Sequence, residues 1–76
     1  MTPTDIPMTQ VLDSSAVAAY GYDEATGTLR ITWASNGATG DYLGVPAQEY
    51  ASFVAAPSKG RYLYRNVRGT YEWRPL

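Results

Sequence analysis

Hydrophobic and polar positions along this chain change period once. Between Ser15 and Tyr22 small and aromatic residues alternate, and a turn-forming cluster, Asp23 to Gly27, separates them from a second alternating run in which Leu29, Ile31 and Trp33 fall on one face. Thr28, Arg30 and Thr32 fall on the other, the pattern of a half-buried strand. Asn36-Gly37 then offers the positive φ angles of a tight hairpin turn, and Ala38 to Leu43 returns as a third strand weakened by glycine. At Val45-Pro46 the period lengthens. Proline suits a first helical turn, and Tyr50, Phe53 and Val54 recur at helical spacing. Pro57 ends that helix, Ser58 is a suitable N-cap for another, and Gly69 a suitable terminator, so a second helix is predicted from about Lys59 to Arg68.

The expected architecture is therefore α+β: a small three-stranded antiparallel meander, two helices and a short extended C-terminal tail in which Tyr71 and Trp73 alternate with Glu72 and Arg74. Residues 1–13, with two prolines and no sustained period, read as an extended, partly mobile lead-in to a domain over 14–76. With 76 residues there is room for one core only. Such a core usually supplies roughly 3–5 kcal/mol, and without cysteine or histidine neither disulfides nor a histidine-held metal can add to it, so a homo-oligomer is a fair expectation. No secretory leader is apparent and the apolar runs are too short to span a bilayer, which points to the cytoplasm and away from membranes.

Charge is segregated. Residues 1–57 carry six acidic side chains and only Arg30, whereas Lys59, Arg61, Arg65, Arg68 and Arg74 face the single acid Glu72 beyond Ser58. Either an anionic partner or mutual attraction of the two halves would account for this. At 100° per residue Arg61, Arg65 and Arg68 make a stripe opposite Gly60, Leu63 and Val67.

The ordered set SSAV, YGYD, TGTLRITW, YLGVP, EY and APSKGRYLYRNVRGTYEW resembles the KTSC domain family, named for its occurrence at the C-terminus of some lysyl-tRNA synthetases. The likeness runs from about Ser14 to Arg74. Its most specific parts are Val45-Pro46, Tyr50, Ser58-Lys59-Gly60 and Val67-Arg68 followed by Tyr71. One departure is Gly40-Asp41-Tyr42, where the family commonly has a Tyr-x-Tyr pair and this chain keeps only the second tyrosine. The resemblance implies a small domain that also stands alone in bacterial and phage genomes, and for which RNA binding has been suggested.

Candidate chemistry centres on the second helix. Ser58-Lys59-Gly60 at its start has the hydroxyl, cation and bare backbone that receive a phosphate, although the same residues also suit a plain cap and a close helix–sheet approach; no Walker loop is present. Arg61, Arg65 and Arg68, joined by Lys59 and Arg74, could contact successive phosphates, and the nearby Tyr62, Tyr64, Tyr71 and Trp73 could stack on bases, Tyr62 or Tyr64 foremost. The competing reading is a solvated stripe whose arginines pair with the acidic half. Tyr42, with Tyr20 and Tyr22, belongs either to the core or to an exposed aromatic platform. Trp33 and Phe53 read as core. Catalysis has little to draw on: there is no histidine or cysteine, Ser14-Ser15 lacks a base, and Asp23-Glu24 lacks companion ligands. The expectation is a non-catalytic module without cofactor that binds RNA or another phosphate-bearing ligand; the alternatives are a small-nucleotide-sequestering phage or bacterial factor and a protein-interaction or assembly module.

Overall fold

In the computed structural model, which describes residues 5–76, the alternating runs become β2 (Val17–Asp23) and β3 (Thr28–Trp33), and the chain returns as β4 (Thr39–Leu43). The sheet has five strands rather than three. A short β1 (Thr9–Gln10) pairs with β2, and β5 (Glu72–Pro75) pairs with β4, giving the antiparallel order β1-β2-β3-β4-β5. β1, two residues long, has no readable period, whereas β5 is the extended tail that the alternation of Tyr71 and Trp73 predicts, now paired at the sheet edge and ending in a proline, which only an edge tolerates. Residues 1–4 of the expected lead-in lie outside the described residues; of the rest, residues 6–10 lie against β2, whereas Leu12 is 92 % exposed.

Leu29 and Ile31 of β3 are fully buried on the helix-facing side, flanked in register by Tyr22 and Tyr42 and by Tyr20 and Gly40. A bulge between Val17 and Ala19 shifts the phase of β2, so Val17 joins the same core as Tyr20 and Tyr22. That settles the two tyrosines: Tyr22 stacks on Tyr50 at 4.4 Å, and Tyr20 meets Phe53 edge-on at 5.3 Å, so neither belongs to an exposed platform.

The opposite face of the sheet is covered as well, contrary to the half-buried strand expected for β3. Gly21, Arg30 and Asp41 lie side by side across the three central strands. The missing side chain at Gly21 lets the backbone at Pro7 and the Ile6 and Met8 side chains rest on β2, and Ile6 is buried. Beside them Arg30 grips Asp41 through two hydrogen bonds of 2.8 and 3.0 Å, with 5 % and 0 % of the two residues exposed. The Asp41 hydrogen bond lifts the Arg30 pKa above its ordinary value, against the burial that lowers it.

The first helix, α1 (Ala47–Ala55), starts one residue after Pro46, which stands at the N-cap instead of inside the first turn. The hairpin before it is also wider than expected. Only Gly37 takes a positive φ, +69°, while Asn36 uses its side-chain oxygen to accept the Ala38 N–H. The second helix is not one continuous α-helix. A single turn, α2 (Lys59–Tyr62), passes into a π-helical turn at Leu63–Val67, closed by the Arg68 N–H donating to the Leu63 carbonyl at 2.7 Å. Leu63 and Val67 are fully buried, and Gly69 ends the segment at φ +83°.

Candidate functional site

Ser58, Lys59 and Gly60 build the junction between the helices. The Ser58 hydroxyl accepts the Arg61 N–H at 3.3 Å, capping α2. The Lys59 ammonium donates to the Val54 and Ala56 carbonyls, both at 2.9 Å, so it satisfies the C-terminal end of α1 rather than reaching outward. Gly60 is buried. A Cβ there would stand 2.5 Å from the Ala16 Cβ, so glycine is what lets the helix sit on the start of β2. A cleft of about 430 Å³ opens beside this junction, walled by Ser14, Ser15, Ser58, Arg61 and Tyr64.

The arginines point away from the core and are exposed. Among the described residues the ion pairs are Arg30 with Asp41 and Arg74 with Glu72, at 2.8 and 2.6 Å; Arg61, Arg65 and Arg68 hold no carboxylate. The pairing of a basic half with an acidic half does not occur among them. The stripe is also not straight, because the π turn inserts an extra residue per turn before Arg68. Arg61 and Arg65 flank an outer groove with Pro57, Tyr62 and Asn66, whereas Arg68 borders a different cleft and sits over the Tyr64 ring at 5.0 Å. Tyr64, 61 % exposed, is the wall shared by the Ser58 cleft and the Arg68 cleft.

The Arg68 cleft measures about 360 Å³ and is lined by Trp33, Tyr42, Tyr64, Tyr71 and Trp73. Its floor depends on Gly40: any side-chain carbon there would overlap the Trp73 indole, which instead lies on the β4 backbone, tilted against Tyr42 at 4.8 Å and Trp33 at 6.2 Å. Trp73 thus fills the place left where the resembled family commonly has a tyrosine. Tyr42 is only 3 % exposed; burial raises the pKa of its hydroxyl, and the nearby positive charge of Arg68 opposes the rise.

Tyr62 is engaged within the fold while one side of it lines the Arg61–Arg65 groove. Its ring packs against Phe53 at 6.1 Å and its hydroxyl donates to Glu49, which also accepts from the Tyr71 hydroxyl at 3.1 Å. The Glu49 hydrogen bond is the main cause of the raised Tyr62 pKa; at Tyr71 burial comes first and Glu49 second. Of the nine residues singled out from the sequence, Ser58, Lys59, Gly60 and Tyr62 are engaged in structural contacts, while Arg61, Arg65, Arg68 and Tyr64 form one exposed ridge with Tyr42 in the cleft beside it. Trp33 and Glu49 have no binding role in the sequence reading, and Trp73 enters it only as a possible stacking ring outside those nine. The alternation of Tyr71 and Trp73 was visible in the sequence, but the pairing of β5 with β4 that brings Trp73 to Trp33 was not.

Among the described residues no three acidic side chains gather where a metal could be held, and no helix is long and apolar enough to cross a membrane. Fold and site together define a small α+β domain with a cationic, aromatic-edged helical ridge. The chain belongs to the KTSC domain family, whose profile matches residues 13–71. It is similar to the crystal structure of KTSC domain protein YPO2434 from Yersinia pestis, with 32 % identity, a TM-score of 0.87, and coverage of 95 % of this chain and 99 % of that one. No curated protein matches the chain.

Proposed function

We propose that this chain is a non-catalytic, cytoplasmic binding module for RNA or another phosphate-bearing ligand, which it holds on the ridge of Arg61, Arg65 and Arg68. One contrast carries the reading. The two arginines outside the ridge, Arg30 and Arg74, each hold a carboxylate, whereas the three on it are exposed and hold none among the described residues. Guanidinium groups left unpaired in a chain with seven acidic residues are available to phosphates, whose bidentate geometry they match. Lys59 adds charge at the edge although its donors are occupied.

The test is fluorescence anisotropy of a labelled single-stranded RNA oligonucleotide over a salt series. Binding should weaken steeply with salt and disappear in the double variant Arg61→Glu, Arg65→Glu, while its thermal unfolding stays unchanged because both side chains are exposed. Equal affinity of the double variant and the parent would sink the proposal. Affinity for a protein partner that is indifferent to salt would instead favour an assembly module, for which exposed Tyr64 beside Arg68 is the appropriate kind of anchor.

A further inference from the structure

We infer that the cleft between the π turn and the C-terminal half of the sheet is a base-stacking subsite for an unpaired nucleotide, with the base against the tryptophans and its phosphate on Arg68. The inference rests on the phosphate-binding reading above and narrows the ligand to one that carries a nucleobase.

Shape and composition both point that way. A cleft of about 360 Å³ falls at the lower end of ordinary small-ligand sites, the size of one nucleotide rather than of a folded partner. Its walls are Trp33, Trp73, Tyr71 and Tyr64, rings that offer flat π surfaces to a flat ligand, with Tyr42 buried beside Trp73. Aromatic walls also suit cations, but Arg68 at the rim repels them, and none of the lining residues is acidic. Glu49, the carboxylate nearest in the hydrogen-bond network, is occupied by the Tyr62 and Tyr71 hydroxyls. An aromatic cleft with an unpaired cation at its mouth and no anion inside selects an anion attached to an aromatic ring. Arg68 is already placed for this. It stands over the exposed Tyr64 ring without an ion pair, at the point where the cleft meets the arginine ridge. A strand lying along the ridge would therefore set one base into the cleft while its neighbouring phosphates meet Arg65 and Arg61.

The molecule carries its own reporter, since the chain has two tryptophans and both line the cleft. Adenosine 5′-monophosphate, titrated into the full chain, should quench tryptophan emission saturably, whereas ribose 5-phosphate, which has the phosphate but no base, should not. Tyr64→Ala and Arg68→Gln, both exposed positions that do not support the core, should each weaken that quenching, the tyrosine variant by between about fivefold and about a hundredfold. A single-stranded RNA hexamer that quenches more strongly than the mononucleotide, and loses that advantage in Arg61→Glu, Arg65→Glu, identifies the source as a strand. Equal quenching by both, independent of Arg61 and Arg65, identifies a free nucleotide. In either case the subsite stands. Unchanged emission with both ligands, in a protein that still binds RNA through Arg61 and Arg65, would overturn the subsite and leave the ridge intact. Quenching by a proline-rich peptide in place of the nucleotide would overturn it in favour of peptide docking.

Discussion

The Trp73 indole lies on the bare backbone of Gly40, with no room for even one carbon between them. Two strands distant in sequence are locked together there, and the cleft receives its floor. Gly40→Ala must push the ring aside, at a cost of about 1–3 kcal/mol. The loss should shrink when Trp73 is already replaced by leucine, and a double-mutant cycle from urea unfolding reads the difference. Equal losses in both backgrounds would mean that the ring moves aside freely.

Arg30 and Asp41 should behave as a unit. Removing one partner of a buried pair typically costs about 3–5 kcal/mol, comparable to the whole stability expected of a domain this small. Asp41→Ala is expected to be largely unfolded by far-ultraviolet circular dichroism at room temperature. The double variant Arg30→Met, Asp41→Leu should regain the fold, because no charge is then left buried without its partner. A folded Asp41→Ala protein of near-parental stability would show that the pair contributes little.

Glu49 ties both helical segments to the chain entering β5 by accepting from Tyr62 and Tyr71. Glu49→Ala removes both acceptors, and the expected loss is about 1–3 kcal/mol. The effects of Glu49→Ala and Tyr62→Phe should not add, since each breaks the same bond. Additive losses in denaturant unfolding would contradict the shared clamp.

Alkaline pH should unfold the protein earlier than a domain with exposed tyrosines. Burial raises the hydroxyl pKa of Tyr22, Tyr42 and Tyr50 above the ordinary 10.0; at Tyr62 the Glu49 hydrogen bond is the main cause, and at Tyr71 burial followed by Glu49. Each folded hydroxyl keeps its proton at a pH where the unfolded one has released it, so the native state binds more protons. The stability that this contributes is fully present below pH 10 and is lost as pH rises through the folded values. Urea midpoints should hold steady up to about pH 9 and fall by about pH 11, with tyrosinate absorbance appearing later in the folded protein than in the unfolded one. A midpoint that does not move over that range would refute the assignment.

The three central strands, the cap at Ser58 and the terminator at Gly69 were legible because each is written locally, as a period or as a single residue with a conformational preference. The outer strands were not. Thr9–Gln10 shows no period and Glu72–Pro75 reads only as an extended tail; both join the sheet because β2 and β4 present free edges to them, a pairing that no local pattern records. For the same reason the covering of this face was hidden, since Ile6 settles against Gly21, the register neighbour of Arg30, only after the lead-in folds back across β2. At the candidate site the arginine stripe was readable from helical spacing, but the π turn that sends Arg68 to a separate cleft was not. Tyr62 and Tyr64 look equivalent in sequence. Glu49 separates them by engaging one and leaving the other exposed.

The strand order follows the order of the chain, and this bears on how the molecule assembles. The pairings of β2, β3 and β4 close through short connections, whereas β5 meets β4 only after the chain has traversed both helical segments. Closing that long loop carries the largest entropic cost, so we expect the last strand to zip on late and to detach first under stress. Trp73 belongs to that strand and Trp33 to the early hairpins, so in stopped-flow refolding a variant retaining only Trp33 should acquire its native emission before one retaining only Trp73. Simultaneous recovery would argue for one concerted step. If the order holds, the aromatic cleft is a product of the final closure, and its readiness for a ligand is coupled to the least secure seam of the sheet.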